Sequence, residues 1–279
     1  MFRKLKNALQ LLNWRELAVS FNQCPVCCQR TPMIRLNNNE IAVRCLKCGS
    51  SVVTMSLVAV LKQLVPDLND KSVYELSSRG PLIEFLRKNA GQLIFSEYFD
   101  DVPPGAIWND IQCQDIERLT YCDCSFDICT STEVFEHVPD DVKGFSEIFR
   151  VLKPNGLLIC TIPLHTSFPT IERARRLASG QIEHSLPSEY HGDYIRGQCR
   201  VLAFRIYGMD ILGKLRACGF SNAEILKPSG PLPWNYARPV IVAYKGKVSN
   251  SDSLLVSNSE TSDFSQGQGN REPVTKQWD

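Results

Sequence analysis

The sequence predicts an α/β fold, a doubly wound parallel sheet behind a small cysteine-rich module. Three observations carry this. Short apolar runs alternate with helical patterns from residue 71 to about residue 245, the pattern of βα units in a parallel sheet. Five of the 12 cysteines crowd into residues 24–48. No run of about 18 apolar residues occurs, so no membrane-spanning helix is expected.

The elements follow in order. Residues 1–22 read as an amphipathic helix. Phe2, Leu5, Leu9, Leu12, Leu17 and Phe21 recur at roughly helical spacing, with Arg3, Lys4, Lys6 and Arg15 between them. Such a helix packs on its own protein, and a basic one can also rest on a membrane surface. Residues 23–50 form the cysteine module and residues 51–70 a connecting helix that ends near Pro66. Strands are expected at 71–76, 92–97, 107–113, 125–131 and 156–162, with helices at 82–89 and 140–152. Residues 163–205 are rich in proline, glycine and polar residues and read as an insertion, a cover over the substrate. A helix at 209–218 stops at Gly219, a C-terminal glycine. Strands at 222–227 and 238–244 complete a domain of residues 71–245. Residues 246–279, rich in Ser, Asn, Gln, Asp and Gly, read as a disordered tail.

Composition narrows the function classes. The 279 residues allow one full-sized core and a small extra unit. Hydrophobic residues at 43% and charged residues at 22% are ordinary for a soluble globular protein. A formal net charge of +1 calls for neither nucleic acid nor an acidic membrane as partner. The start MFRKLKNALQLLNW lacks the apolar core of a signal peptide, so a reducing, cytoplasmic setting is expected.

Cys24-Pro-Val-Cys27 and Cys45-Leu-Lys-Cys48 are two knuckles in the spacing C-x2-C-x17-C-x2-C. Each offers two thiolates from one tight turn, and Zn²⁺ takes four such ligands in a tetrahedron. Cys24, Cys27, Cys45 and Cys48 are therefore expected to hold a structural Zn²⁺ in a zinc ribbon. Cys28 is an alternative to Cys27, although the x2 spacing favours Cys27. Asn37-Asn-Asn39 would form the hairpin tip. The other seven cysteines are scattered and read as free thiols.

In the sheet, Glu75 ends the first strand, and Ser77-Ser-Arg-Gly80 turns into a helix. Ligands of doubly wound sheets bind at that end of the strands. Glu97 ends the next strand at a spacing suited to ribose hydroxyls, and Asp115 follows the third. Together with Ser125-Phe-Asp127, Glu133-Val-Phe-Glu136-His137-Val and Phe149-Arg-Val-Leu-Lys-Pro-Asn-Gly156, these pieces resemble class I S-adenosylmethionine-dependent methyltransferases of the small-molecule type. The resemblance spans about residues 70–245. It implies a Rossmann-like seven-stranded sheet whose last pair is antiparallel. It also implies that Glu75 and Ser77 with Gly80 receive the amino-acid end of S-adenosylmethionine, Glu97 the ribose and Asp115 the adenine. Glu133 would face the methyl group. One departure stands out: family members carry a G-x-G loop, and here only Gly80 remains.

The acceptor side is less defined. An oxygen acceptor must lose a proton, and histidine titrates near neutrality. His137 and His191 are the candidate bases, with His191 slightly favoured. It stands in a cluster with His184, Glu189, Tyr190, Asp193 and Arg196, where Tyr190 supplies an aromatic hydroxyl. The expected activity is methyl transfer to a small-molecule or glycan acceptor. Two alternatives stand beside it. One is a zinc-ribbon RNA methyltransferase, suggested by Arg30, Arg35, Arg44 and Lys47. The other is a scaffold whose altered loop no longer takes cofactor.

Overall fold

The computed structural model describes residues 12–192, 201–230 and 232–246. Most of the expected N-terminal helix, all but Gly246 of the tail, and Asp193 and Arg196 lie outside the described residues.

Where the described part of that helix was expected, the chain is a strand. β1 (Ala18–Gln23) pairs antiparallel with β2 (Arg30–Arg35), which pairs with β3 (Val43–Cys45). The reason is a shared periodicity. Leu17 and Phe21 are four apart, which puts them on one face of a helix but equally on one face of a strand, with Val19 between them. The two cysteine knuckles bracket this ribbon and are built alike. The Cys28 amide donates to the Cys24 carbonyl at 2.9 Å, and the Gly49 amide to the Cys45 carbonyl at 2.8 Å.

Ser51 caps α1 (Val52–Leu64) by accepting from the Thr54 amide. Buried residues run almost without a break from Val52 to Leu61, so the helix is covered all round, as its apolar sequence requires. It stops just ahead of Pro66, whose ring disfavours a helical residue before it. α1 joins the ribbon to the sheet. Cys24, Met33 and Cys45 of the ribbon, Met55 and Leu61 of α1, and Val73, Ile128 and Val242 of the sheet share one apolar core.

The main sheet contains β4 (Ser72–Glu75), β5 (Gln92–Glu97), β6 (Ile107–Trp108), β7 (Ile111–Cys113), β8 (Phe126–Thr132), β9 (Leu152–Thr161), β16 (Asn222–Leu226) and β17 (Val240–Tyr244). Their order is β16-β17-β9-β8-β4-β5-β7-β6. β7, β5, β4, β8 and β9 are parallel, while β17 runs against both β9 and β16. Seven strands thus form the expected sheet, and its last pair, β16 and β17, is antiparallel as expected, with β17 the strand that runs against the rest. The eighth, β6, arises because residues 107–113 fold back instead of forming one strand. Asn109 and Asp110 both have positive φ, the turn that Asn and Asp favour in a tight hairpin.

Helices cover both faces. α2 (Pro81–Asn89) begins at Gly80, whose φ of +103° suits only glycine, with Pro81 preset for the first turn. α3 (Asp141–Val151) is capped by Asp140, which accepts from the Lys143 amide. α3 and α4 (Ile211–Ala217) cover the second core, around Phe135, Phe145, Ile148, Leu158 and Leu215.

Asp127, part of the familiar Ser-Phe-Asp segment, clamps the amino ends of the strands. Its Oδ2 accepts from the Ser72 amide (2.8 Å), the Ser72 hydroxyl (2.6 Å) and Lys153 Nζ (2.9 Å). Gly156 is required next to it: a Cβ there would lie 2.9 Å from the carbonyl oxygens of Asp127 and Lys153.

The insertion is more ordered than its composition suggests. β10 (Ile171–Glu172) pairs with β15 (Arg205–Ile206), β11 (Ala174–Arg176) with β12 (Ile182–His184), and β13 (Tyr190–His191) with β14 (Val201–Leu202). Buried Arg205 fastens it to the segment after β8, donating to the carbonyls of Phe135, Val138 and Pro139 and to Glu172.

Candidate functional site

Glu75 closes β4, Glu97 closes β5 and Glu133 directly follows β8, so three carboxylates stand at the carboxyl ends of adjacent strands. β5 and β8 lie on opposite sides of β4, which makes this the point where the strand order reverses. Glu75 is fully buried. It accepts from the Ser77 hydroxyl at 2.7 Å and from the Thr130 hydroxyl. Burial pushes its carboxyl up to about 7. Glu97 accepts from the Ser78 amide (3.4 Å) and hydroxyl (3.3 Å), so the Ser77–Gly80 turn rests on both carboxylates. Asp115 lies beyond β7, where it accepts from the Glu117 amide at 2.9 Å.

Glu133 holds a left-handed backbone, φ +52°, a strained state for a glutamate. Burial pushes its carboxyl up to about 6, the neighbouring Glu136 charge adds to this, and Arg238 opposes it. Arg238 is a site residue that the sequence did not reveal. Its guanidinium donates to Glu133 Oε2 at 2.7 Å and to Glu40 of the ribbon at 2.8 Å. Nothing in the sequence around Arg238 signals this bridge across 105 residues to Glu133 and 198 residues to Glu40.

The structure brings His137 and His191 together. Their Nε2 and Nδ1 atoms lie 3.2 Å apart, with the rings nearly perpendicular. Between them sits Glu136, buried, its Oε1 3.6 Å from His137 Nε2 and 3.7 Å from His191 Nδ1. At those distances the carboxylate faces both rings without a hydrogen bond to either. The Glu136 carboxylate raises the affinity of the His191 ring for a proton; burial opposes this and Glu189 adds to it. Tyr190 is not part of the group. It is exposed, and as the strand neighbour of His191 it points to the other face. His184 is also apart, against Ser188.

Cys24, Cys27, Cys45 and Cys48 converge, all four sulfurs lying within 4.8 Å of one another. The Cys24–Cys48 and Cys27–Cys45 sulfur pairs are 3.7 and 4.0 Å apart. A tetrahedral Zn²⁺ with bonds of about 2.3 Å sets its sulfurs about 3.8 Å apart, so the four thiols fit that ion. Buried Ser50 lies 3.1 Å from Cys48 and 3.5 Å from Cys24, a hydroxyl within reach of two sulfurs. Cys28 turns outward to Lys62, so it is the Cys27 sulfur that joins the other three.

A cavity of about 860 Å³ opens elsewhere, between the start of α3 and the insertion, lined by Asp140, Arg175, Arg176 and Glu183. None of the three strand-end carboxylates borders it.

Residues 46–160 match the family described as "Methyltransferase domain". Over this stretch the chain is similar to a methyltransferase domain. The stretch contains Glu75, Glu97, Glu133, Glu136 and His137, while His191 and Arg238 come from beyond it. The chain is similar to malonyl-[acyl-carrier protein] O-methyltransferase of Hahella chejuensis, 27% identical over 141 residues, covering 47% of this chain and 50% of that protein. It is 47% identical over 47 residues to ubiquinone biosynthesis O-methyltransferase of Coxiella burnetii, covering 17% and 20%. The chain therefore spans half or less of the length of these relatives. Among solved structures, the 1,6-didemethyltoxoflavin-N1-methyltransferase of Burkholderia thailandensis aligns with a TM-score of 0.43 and 16% identity, over 68% of this chain and 76% of that one. Among the described residues, no helix is long and apolar enough to cross a membrane.

Proposed function

We propose that the chain transfers the methyl group of S-adenosylmethionine to a hydroxyl on a small-molecule or glycan acceptor. The observation that carries this is the set of three glutamates at the carboxyl ends of β4, β5 and β8. A ligand with an ammonium, a sulfonium and a ribose diol matches three carboxylates at adjacent strand ends. Glu75, through Ser77 and the Gly80 turn, receives the amino-acid end. Glu97 accepts from the ribose hydroxyls, Asp115 from the adenine amine, and Glu133 stands nearest the methyl.

When bound, S-adenosylmethionine supplies a methyl that leaves sulfur with the S–C bond electrons staying on sulfur. The chain's task is to align the acceptor oxygen behind that carbon and to take away its proton. His191 and His137, with Glu136 behind them, are the groups for the proton. Tyr190, exposed on the opposite face, contributes at most to the rim of the acceptor opening.

The four cysteines hold a structural Zn²⁺ in this reading. Such a site needs reduced thiols, which accords with a cytoplasmic location. The RNA alternative loses two of its residues to internal contacts. Arg35 lies over the Trp234 ring at 5.2 Å, and Arg44 donates to the Ile41 and Val43 carbonyls. The scaffold alternative keeps one observation, the contact of Ser78 with Glu97, which an incoming ribose has to displace.

Calorimetric titration with S-adenosylmethionine tests the proposal. The wild type is expected to bind saturably, and Glu97→Ala to weaken binding at least about tenfold, or about 1.4 kcal/mol. A folded wild type that takes up no S-adenosylmethionine overturns methyl transfer and selects the scaffold.

A further inference from the structure

We propose that Glu136, His137 and His191 form a second metal site, for a divalent transition-metal ion, with a coordination position open toward the acceptor. The site is distinct from the four cysteines.

The geometry is that of ligands around one point. Glu136 Oε1, His137 Nε2 and His191 Nδ1 are separated by 3.6, 3.7 and 3.2 Å. An ion bound at about 2.1 Å in a tetrahedral arrangement sets its donors about 3.4 Å apart. The groups behind these atoms are those that orient metal-binding histidines. His137 Nδ1 donates to the Leu202 carbonyl at 2.8 Å, which turns Nε2 toward the cluster. His191 Nε2 lies 3.3 Å from Glu189 Oε1, which turns Nδ1 the same way. The two ring nitrogens that meet at 3.2 Å are thus the ones that face Glu136, each with a lone pair to offer an ion when deprotonated.

A second, independent observation points to a cation. Glu136 is 1% exposed, and among the described residues neither of its carboxylate oxygens has a hydrogen-bond partner. A buried carboxylate that faces two imidazoles without a hydrogen bond is costly, and a cation coordinated between them removes that cost. Nothing about the fold requires Glu136 to be an acid, since the segment is already fastened through its backbone. The Glu136 carbonyl accepts from the Phe204 amide at 2.7 Å, and Arg205 holds the flanking carbonyls.

Two imidazoles and one carboxylate select Zn²⁺, Mn²⁺, Co²⁺ or Fe²⁺ over Mg²⁺ and Ca²⁺, which prefer oxygen alone. Three protein ligands leave the ion open to an added oxygen. An acceptor hydroxyl bound there gives up its proton to solvent and presents oxygen to the methyl carbon. That role rests on the methyl-transfer reading, whereas ion binding does not. It also recasts the two histidines as ligands rather than as bases.

The test is titration of the full chain, zinc-loaded at its cysteines, with MnCl₂ by calorimetry and by loss of the free Mn²⁺ paramagnetic signal. One saturable Mn²⁺ per chain is expected, weakened at least about tenfold in His191→Ala and in Glu136→Gln. Mn²⁺ should raise the melting temperature of the wild type but of neither variant. His191 lies on the insertion and is half-buried, so its variant keeps the test open if Glu136→Gln fails to fold. Absence of saturable Mn²⁺ and Co²⁺ binding in the wild type, or equal affinity in a folded His191→Ala, overturns the proposal. S-adenosylmethionine binding without Mn²⁺ binding sinks the metal site alone. Mn²⁺ binding without S-adenosylmethionine binding sinks methyl transfer alone.

Discussion

At the scale of single residues, Glu75 makes the most direct prediction. Its carboxyl is raised by burial from an ordinary 4.5 to about 7. Between those two values the folded chain holds a proton that the unfolded chain has released. Stability from this group is therefore fully present below about pH 4.5, falls as pH rises and is gone above about pH 7, a change of roughly 3 kcal/mol. Denaturant melts from pH 5 to 8 are expected to show that fall in the wild type and a flatter profile in Glu75→Gln. Cofactor binding carries the complementary signature. An ammonium drawn to Glu75 favours its ionised form, so S-adenosylmethionine should bind more tightly as pH rises through 7, releasing protons in calorimetry. An affinity independent of pH would remove Glu75 from the contact. These acids were legible in the sequence because each ends a recognisable strand. Arg238 was not, since its role comes from partners far along the chain, and Glu136 was legible only as part of the Glu133–Val138 run, because His191 joins it only in the fold.

Elements show where local pattern suffices and where it fails. The βα alternation located β4, β5, β8, β9, α2 and α3 because their apolar periods are long and bounded by caps. It failed at β1, where Leu17, Val19 and Phe21 satisfy two periods at once, and at 107–113, where Asn109-Asp110 reverses the chain. The insertion looked irregular because its hairpins are held by Arg205 and by carbonyls of another segment, not by apolar runs. The Phe149–Gly156 segment, quoted for its family likeness, acts in packing. Gly156→Ala places a methyl against two carbonyls and is expected to cost about 1–3 kcal/mol. Asp127→Ala, which removes the clamp on Ser72 and Lys153, should lower the melting temperature without changing the affinity for S-adenosylmethionine. A large loss of affinity in a folded Asp127→Ala would show that the clamp also shapes the crevice.

Across the whole molecule, the ribbon is part of the protein's interior. Cys24, Met33 and Cys45 share a core with α1 and the sheet, and Glu40–Arg238–Glu133 runs from the ribbon to the crevice. Loss of the proposed Zn²⁺ from the cysteines should therefore lower the stability of ribbon and sheet as one cooperative unit. A single shifted transition in calorimetry is expected for Cys45→Ser, and two separate transitions would contradict it. Arg238→Met should leave the ribbon's metal content intact yet weaken cofactor binding, since the Glu133 carboxylate loses its cation. The sequence separated ribbon from sheet because their motifs are separate; the shared core appears only in three dimensions. The same arrangement gives the molecule a vulnerability to oxidants at a distance from its chemistry. Peroxide that joins Cys24 to Cys48 would expel the proposed Zn²⁺, slacken the ribbon and release Arg238 from Glu40. The proposed methyl transfer would then fade although the four thiols lie in the ribbon and not at the strand ends, and dithiothreitol with Zn²⁺ would restore it.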